Sequence, residues 1–242
     1  MSIWAYIILF LTVIAGGLTA VLIKNYNAAN LRLVLSFSGS YILGITILHL
    51  MPGVYTSVSE SAGLWVLLGF FIQLLLEQFS KGVEHGHIHK GHKHPNFAAS
   101  IMLGLCLHAF LEGLPLSNYT EFHQLHHGAG HDDNHLFFGI IVHKAPAAFA
   151  LVTLFLWSNR SLFFVILNLF IFALMSPLGA FTSALFSPEP EVVAKMVALV
   201  IGSFLHISTT ILFEADDSHQ HKIPWKKMLA ILIGMGLALL TI

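Results

Sequence analysis

His108 and Glu112 stand four residues apart in an otherwise apolar stretch, LHAFLEGLPL (107–116). On a helix that spacing projects both side chains from one face. An imidazole and a carboxylate so placed can chelate one divalent ion. His143 comes from the next apolar stretch and offers a third ligand. The set is nitrogen and oxygen without a thiolate, which suits Zn²⁺ or another borderline first-row ion such as Fe²⁺ or Mn²⁺. Three such ligands completed by exchangeable water fit an ion that must leave again, better than a closed four-ligand structural site does.

The composition says what must position them. Of 242 residues, 56% are hydrophobic and only 10% charged. That balance excludes an ordinary soluble domain and implies an all-α membrane protein. A net charge of −1 gives no footing for nucleic acid. The one cysteine, Cys106, excludes an internal disulfide and a Cys-based zinc knuckle. A span needs about twenty mainly apolar residues. Eight are predicted, at 3–23, 33–52, 61–80, 97–117, 136–157, 162–186, 192–213 and 224–242, forming one transmembrane domain over 1–242. The first is too long, too evenly apolar and too poor in leading basic residues for a signal peptide. Nine of the eleven Lys and Arg residues fall in the odd-numbered loops; the others are Lys144 and Lys195. By the positive-inside rule the odd loops are cytoplasmic and both termini extracytoplasmic.

Depth follows from a rise of ~1.5 Å per residue. Span four runs outward and ends near Ser117, which puts His108 ~13 Å and Glu112 ~8 Å below the outer face. Span five runs inward from about Leu136, which puts His143 ~10 Å down, between the other two. Ionisable groups at such depth are costly and usually functional. The rest of that set is His49 at the outer end of span two, His206 in span seven, Lys144, Glu77 and Lys195. The last two lie near predicted interfaces and can snorkel. Pro115, Pro146 and Pro177 fall in spans four to six, where each removes a backbone donor and tends to kink its helix. In lipid that favours a cavity among the helices. Loop 84–94 (EHGHIHKGHKH) and loop 121–135 (EFHQLHHGAGHDDNH) carry five histidines each. Both read as exposed, flexible tracts for weak, exchanging metal capture, one on each face. His49, the central layer, His206 and the acidic stretch around Glu214, Asp216 and Asp217 then form a ladder between them.

Four motifs resemble the ZIP family of divalent-metal transporters. HLMPG (49–53) resembles the end of that family's second helix, and HAFLEG (108–113) its His-Asn-x-x-(Asp/Glu)-Gly. HKAPAAFAL (143–151) resembles its His-Glu-x-Pro-His-Glu, and still more the His-Lys-Ala-Pro run of one branch; SPLGA (176–180) resembles its Glu-Pro-Leu-Gly-Ala. The resemblance implies transport of a divalent ion, zinc foremost (with Fe²⁺, Mn²⁺ and Cd²⁺ as other substrates), toward the cytoplasm. It also implies no cofactor, a homodimer in a lipid bilayer and an elevator-like slide of spans one, four, five and six; the short loops suit a plasma membrane. Family members with a two-metal centre place ligands where this chain has Ala109, Lys144, Ala147 and Ser176. A single ion is therefore expected, held by His108, Glu112 and His143, with water or His49 completing its shell. The Lys144 ammonium would stand where a second cation sits and pair with Glu112. His206 occupies a position usually held by Tyr. Two rival readings use the same residues: an intramembrane zinc-dependent hydrolase, for which the His-Glu-x-x-His motif is missing, and a metal-sensing receptor that no longer transports.

Overall fold

The structure, a computed structural model, describes residues 1–23, 28–83, 97–127, 134–213 and 224–240. The His-rich tract 84–94 and the cluster from Glu214 to His221 lie outside them. The described residues are helical and without strands: α1 Ile3–Leu22, α2 Ala28–Ile45, α3 Met51–Ser80, α4 Phe97–Gly113, α5 Tyr119–His127, α6 His135–Trp157, α7 Leu162–Phe186, α8 Pro190–Phe213 and α9 Trp225–Leu240. Among the described residues, seven stretches are long and apolar enough to cross a membrane. The outward surface is apolar, with Phe163, Phe186, Leu64 and Leu75 all exposed. His108, Glu112, His143, Lys144 and His206, within the apolar stretches, lie inside. This is an integral, multi-pass membrane protein, its polar chemistry turned away from lipid.

The sequence places helices well and loops less well. The eighth predicted span is α9, only 16 residues long, or ~24 Å, and it lies along α2. Residues 53–60, expected to be a loop, are helical. Val54 and Val58 are buried on α8, and Thr56 and Ser57 return their hydroxyls to the Gly53 carbonyl, so the polar side chains do not interrupt the helix. α2 passes into α3 through a wide π-helical turn, Thr46–Leu50. Yet Leu31 and Leu35 cluster with Ile207 and Ile211, while Glu77 pairs with His206. Both ends of the 28–80 run thus meet the same part of α8, so the run folds back, with candidate spans Asn30–Val58 and Glu60–Ser80.

Two helix groups emerge. α1 packs on α6 and α7, and α4 packs on α7; α3 packs along α8, and α2 along α9 and α8. The groups join where α4 meets α3 and where α2 meets α6. Small residues set these crossings. A Cβ at Gly202 would meet the backbone of Val66 and Phe70, and one at Gly113 the backbone of Ser176. Without them the helix axes could not approach this closely. Pro146 leaves the Val142 carbonyl without its helical donor, and Ser38 of α2 donates to that oxygen at 3.4 Å. Pro115 does not kink a long helix as expected. It begins a 3₁₀ turn, Leu114–Ser117, that ends α4.

Candidate metal centre

α4 and α6 bring the three candidate ligands together. His108 Nε2 lies 2.7 Å, and His143 Nε2 3.0 Å, from Oε1 of Glu112. One ligand atom from each falls within 4.8 Å of the others, and all three residues are buried. Lys144, next to His143 on α6, approaches the carboxylate from the other side, with Nζ 2.8 Å from Oε2. It is 2% exposed. Its ammonium also stands over the Phe172 ring, 5.2 Å from the centroid.

Hydrogen bonding decides which atoms face inward. His143 Nδ1 donates to the Gly139 carbonyl at 2.8 Å. A carbonyl only accepts, so Nδ1 carries a proton and Nε2 is the ring nitrogen that faces Glu112, where the neutral ring offers a lone pair. Ser203 donates to Gln73 Oε1 at 3.1 Å, so its oxygen is left to accept from His108 Nδ1–H at 3.3 Å. His108 therefore turns its Nε2 lone pair to the same point. No other hydrogen bond satisfies either Nε2 or either carboxylate oxygen among the described residues. Three buried acceptors converge, and they repel one another unless a cation or protons lie between them.

Small voids flank the cluster. One of about 50 Å³ is bounded by Gly69, Gln73, His108, Glu112, Met196 and Ser203. Another of about 10 Å³ touches Leu35, His108, His143, Lys144 and Ile207. A water needs roughly 10–15 Å³ on this measure, so the first holds a few waters and the second at most one.

A family model described as "ZIP Zinc transporter" matches residues 1–99 and 84–241. The chain belongs to the ZIP zinc transporter family. It is 31% identical over 181 residues to Zinc transporter ZIP9-B of Xenopus laevis, an alignment covering 69% of this chain and 57% of that protein. This chain thus spans somewhat over half the length of the curated relative it matches. The family is one of transporters rather than of enzymes.

The other residues singled out in this ZIP chain lie apart from the cluster. His49 sits in the π-helical turn, stacked face to face on His135 with centroids 3.9 Å apart, and its Nε2 donates to the Ala238 carbonyl at 3.2 Å. Parallel rings do not aim their in-plane lone pairs at one point. The pair ties α2, α6 and α9 together. His135, expected in an exposed tract, is 8% exposed and opens α6, while 121–127 belong to α5. Residues 128–133 of that tract lie outside the described residues. His206 Nε2 meets Glu77 Oε2 at 2.5 Å, with the Phe70 ring edge-on. Glu77 is held by that pairing and does not simply snorkel. Lys195 is half-buried, paired with Glu191 at 2.6 Å and poised over Trp65.

At the second-site positions, Ala109 is fully buried and Ser176 Oγ donates to its carbonyl at 3.0 Å. Sequence reasoning missed Gln73 and Ser203. The signal for Gln73 was there, an amide inside GFFIQLLLE. A serine in a membrane helix carries none, because it can satisfy itself on its own helix.

Proposed function

We propose that this chain carries divalent ions, zinc first, across the membrane toward the cytoplasm, one at a time, through His108, Glu112 and His143. The observation that carries the reading is the convergence of three acceptors on one buried point, each histidine holding its proton on the far nitrogen. Zinc at 2.0–2.1 Å from its ligands needs edges of about 3.3 Å between them. The contacts at 2.7 and 3.0 Å widen by a few tenths of an ångström to admit it. Water from the adjoining void completes the shell. His49 and His206 stand outside it.

Lys144 accounts for the single ion. Its Nζ pairs with one oxygen of Glu112 and leaves the other to the cargo. The carboxylate is then never an uncompensated buried charge, even between cargoes. Ala109 offers a methyl, and Ser176 a neutral hydroxyl in place of a carboxylate, where a second ion would need ligands. Iron, manganese and cadmium are further substrates in this reading, and no cofactor is consumed.

Eight spans, α9 included, put both termini outside. In support, Arg32, Lys81, Arg160, Lys226 and Lys227 all lie at or next to the helix ends that share the side of Ile211 and Glu77. The protein works as a homodimer in the plasma membrane.

Uptake into liposomes of the purified protein, loaded with a zinc-sensitive dye, tests the transport reading. Flux is expected to saturate with zinc and to fall to the empty-liposome level in His108→Ala. Protons compete for the Nε2 lone pairs, so flux is expected to fall as the outside pH is lowered. Unsaturable flux, or flux indifferent to His108→Ala, ends it. Zinc binding without flux would favour a sensor.

A further inference from the structure

The groups that face the ion lie on α4 and α6, whereas the hydrogen bonds that orient His108 come from the other helix group. Ser203 is on α8 and Gln73 on α3, and both are buried. We propose that Ser203 and Gln73 form a positioning relay that fixes the tautomer and plane of His108, and so makes ion affinity depend on how α4 is seated against α3 and α8. The inference rests on the reading of His108 as an ion ligand.

Ser203 differs from the hydroxyls that satisfy themselves on their own helix. Thr12, Ser36, Ser158, Thr182 and Thr209 each donate to the carbonyl four residues back on their own helix. That is the default for Ser and Thr in apolar helices. Ser203 instead donates across to Gln73, which turns its oxygen toward His108. The crossing that allows this is built from glycine. Gly202 beds against Val66 and Phe70, and Gly69 against Leu199. The α3 and α8 backbones meet there, so Gln73 and Ser203, one turn or less away, fall within hydrogen-bond reach. Gly104 beds α4 against Leu76 and Ser80 of α3. His108, one turn further along α4, is thereby delivered to Ser203.

The link to His108 is long, 3.3 Å. A small withdrawal of α4 from α8 breaks it. The ring is then free to rotate or to move its proton to Nε2, and a protonated Nε2 is no ligand. His143 has no such dependence, because its Nδ1–H is held by Gly139 of its own helix. Both rings touch α8, His143 edge-on against Phe204, but only His108 has its Nδ1–H held by the opposite group. The seated state is the tight-binding one, and unseating favours release without any ligand having to leave its helix.

Outer hydrogen bonds to metal-bound histidines typically set affinity by 10- to 100-fold. Ser203→Ala is therefore expected to raise the zinc Kd and the uptake KM by about 10- to 100-fold, with the maximal rate unchanged or higher. Ser203→Thr keeps the hydroxyl and restores both to within a few-fold of wild type. Gln73→Leu weakens binding less, and adding it to Ser203→Ala costs little more, since the two act in series. Cobalt substituted into the site reports the ligand field directly, and its visible spectrum shifts in Ser203→Ala and returns in Ser203→Thr. The relay is overturned if Ser203→Ala stays within two-fold of wild type in KM and Kd. It is overturned equally if Ser203→Thr is as impaired as Ser203→Ala, which marks a packing role. If wild type and His108→Ala bind zinc alike, the ligand assignment itself falls, and the relay with it.

Discussion

Glu112→Gln is expected to abolish zinc uptake and to destabilise the protein by about 3–5 kcal/mol, the usual result of removing one partner of a buried ion pair. Glu112 is the hub of the site. One oxygen meets both imidazoles and the other meets Lys144. An amide is nearly the same size, but it carries no charge and replaces one acceptor oxygen by a donor nitrogen. If its oxygen turns to Lys144, its NH₂ faces the imidazoles and caps the lone pairs zinc would use. If it flips, the NH₂ points at an ammonium. In either orientation Lys144 stays buried with only a dipole and the Phe172 ring to stabilise it. Loss of stability and loss of function then separate in a second variant. Glu112→Gln with Lys144→Met removes both charges and replaces the ammonium by an apolar group of similar length. It is expected to recover most of the stability while uptake stays absent. Thermal unfolding of the detergent-solubilised protein, alongside liposome flux, measures both. A Glu112→Gln single variant as stable as wild type would sink the claim that Lys144 depends on this carboxylate. With it would go the account of why one ion suffices. Equilibrium dialysis of the protein with 84–94 and 128–133 deleted is expected to find one tightly held zinc per chain, and two would contradict that account.

Gly113→Val is the second variant with a large expected effect. Gly113 is the residue after Glu112, at the crossing of α4 and α7. A Cβ there would run into the backbone of Ser176, and across the same crossing a Cβ at Gly179 would run into the backbone of Phe110. Backbone cannot swing aside as a side chain can, so the two helices must part. Overpacking of this kind costs about 1–3 kcal/mol and occasionally more. Parting α4 from α7 also shifts Glu112, and reacting groups misplaced by about 1 Å commonly lose two orders of magnitude in activity. Uptake is expected to fall by about 100-fold, with folded yield reduced. Gly236→Ala serves as the control. A Cβ at Gly236 has nothing within 4 Å, and Ala favours helix over Gly by up to about 1 kcal/mol. That variant should transport normally and melt no earlier than wild type. If Gly113→Val matched it, the close α4–α7 crossing would not be what holds the carboxylate in place.

Much of the centre was legible before any fold was known, because its parts are local. An i, i+4 pair shares a helix face wherever that helix goes. Rise per residue puts His143 at the depth of His108 and Glu112 once the span ends are assigned. The pairing of Lys144 with Glu112 follows from the cost of leaving either charge alone in an apolar interior. What stayed hidden depends on azimuth and on neighbours. His49 looks like a rung of an ion path by depth alone, yet its ring stacks on His135 and bonds to α9. Glu77 and His206 lie 129 positions apart and meet because α3 runs along α8. The 53–60 segment reads as a polar loop, because burial of Val54 and Val58 appears only when α8 is present.

Sequence by itself therefore determined the medium, most of the helices and the three side chains that converge. Tertiary structure alone decided which residues neighbour those side chains and which histidines lie apart from them. The physical reason is one of range: helical periodicity and hydrophobic length act over a few residues, whereas the rotation of one helix against another is set by glycine crossings far apart in the chain. Gln73, Ser203 and His108 share no local pattern. They come together only because Gly69, Gly104 and Gly202 let three helices approach closely at neighbouring levels.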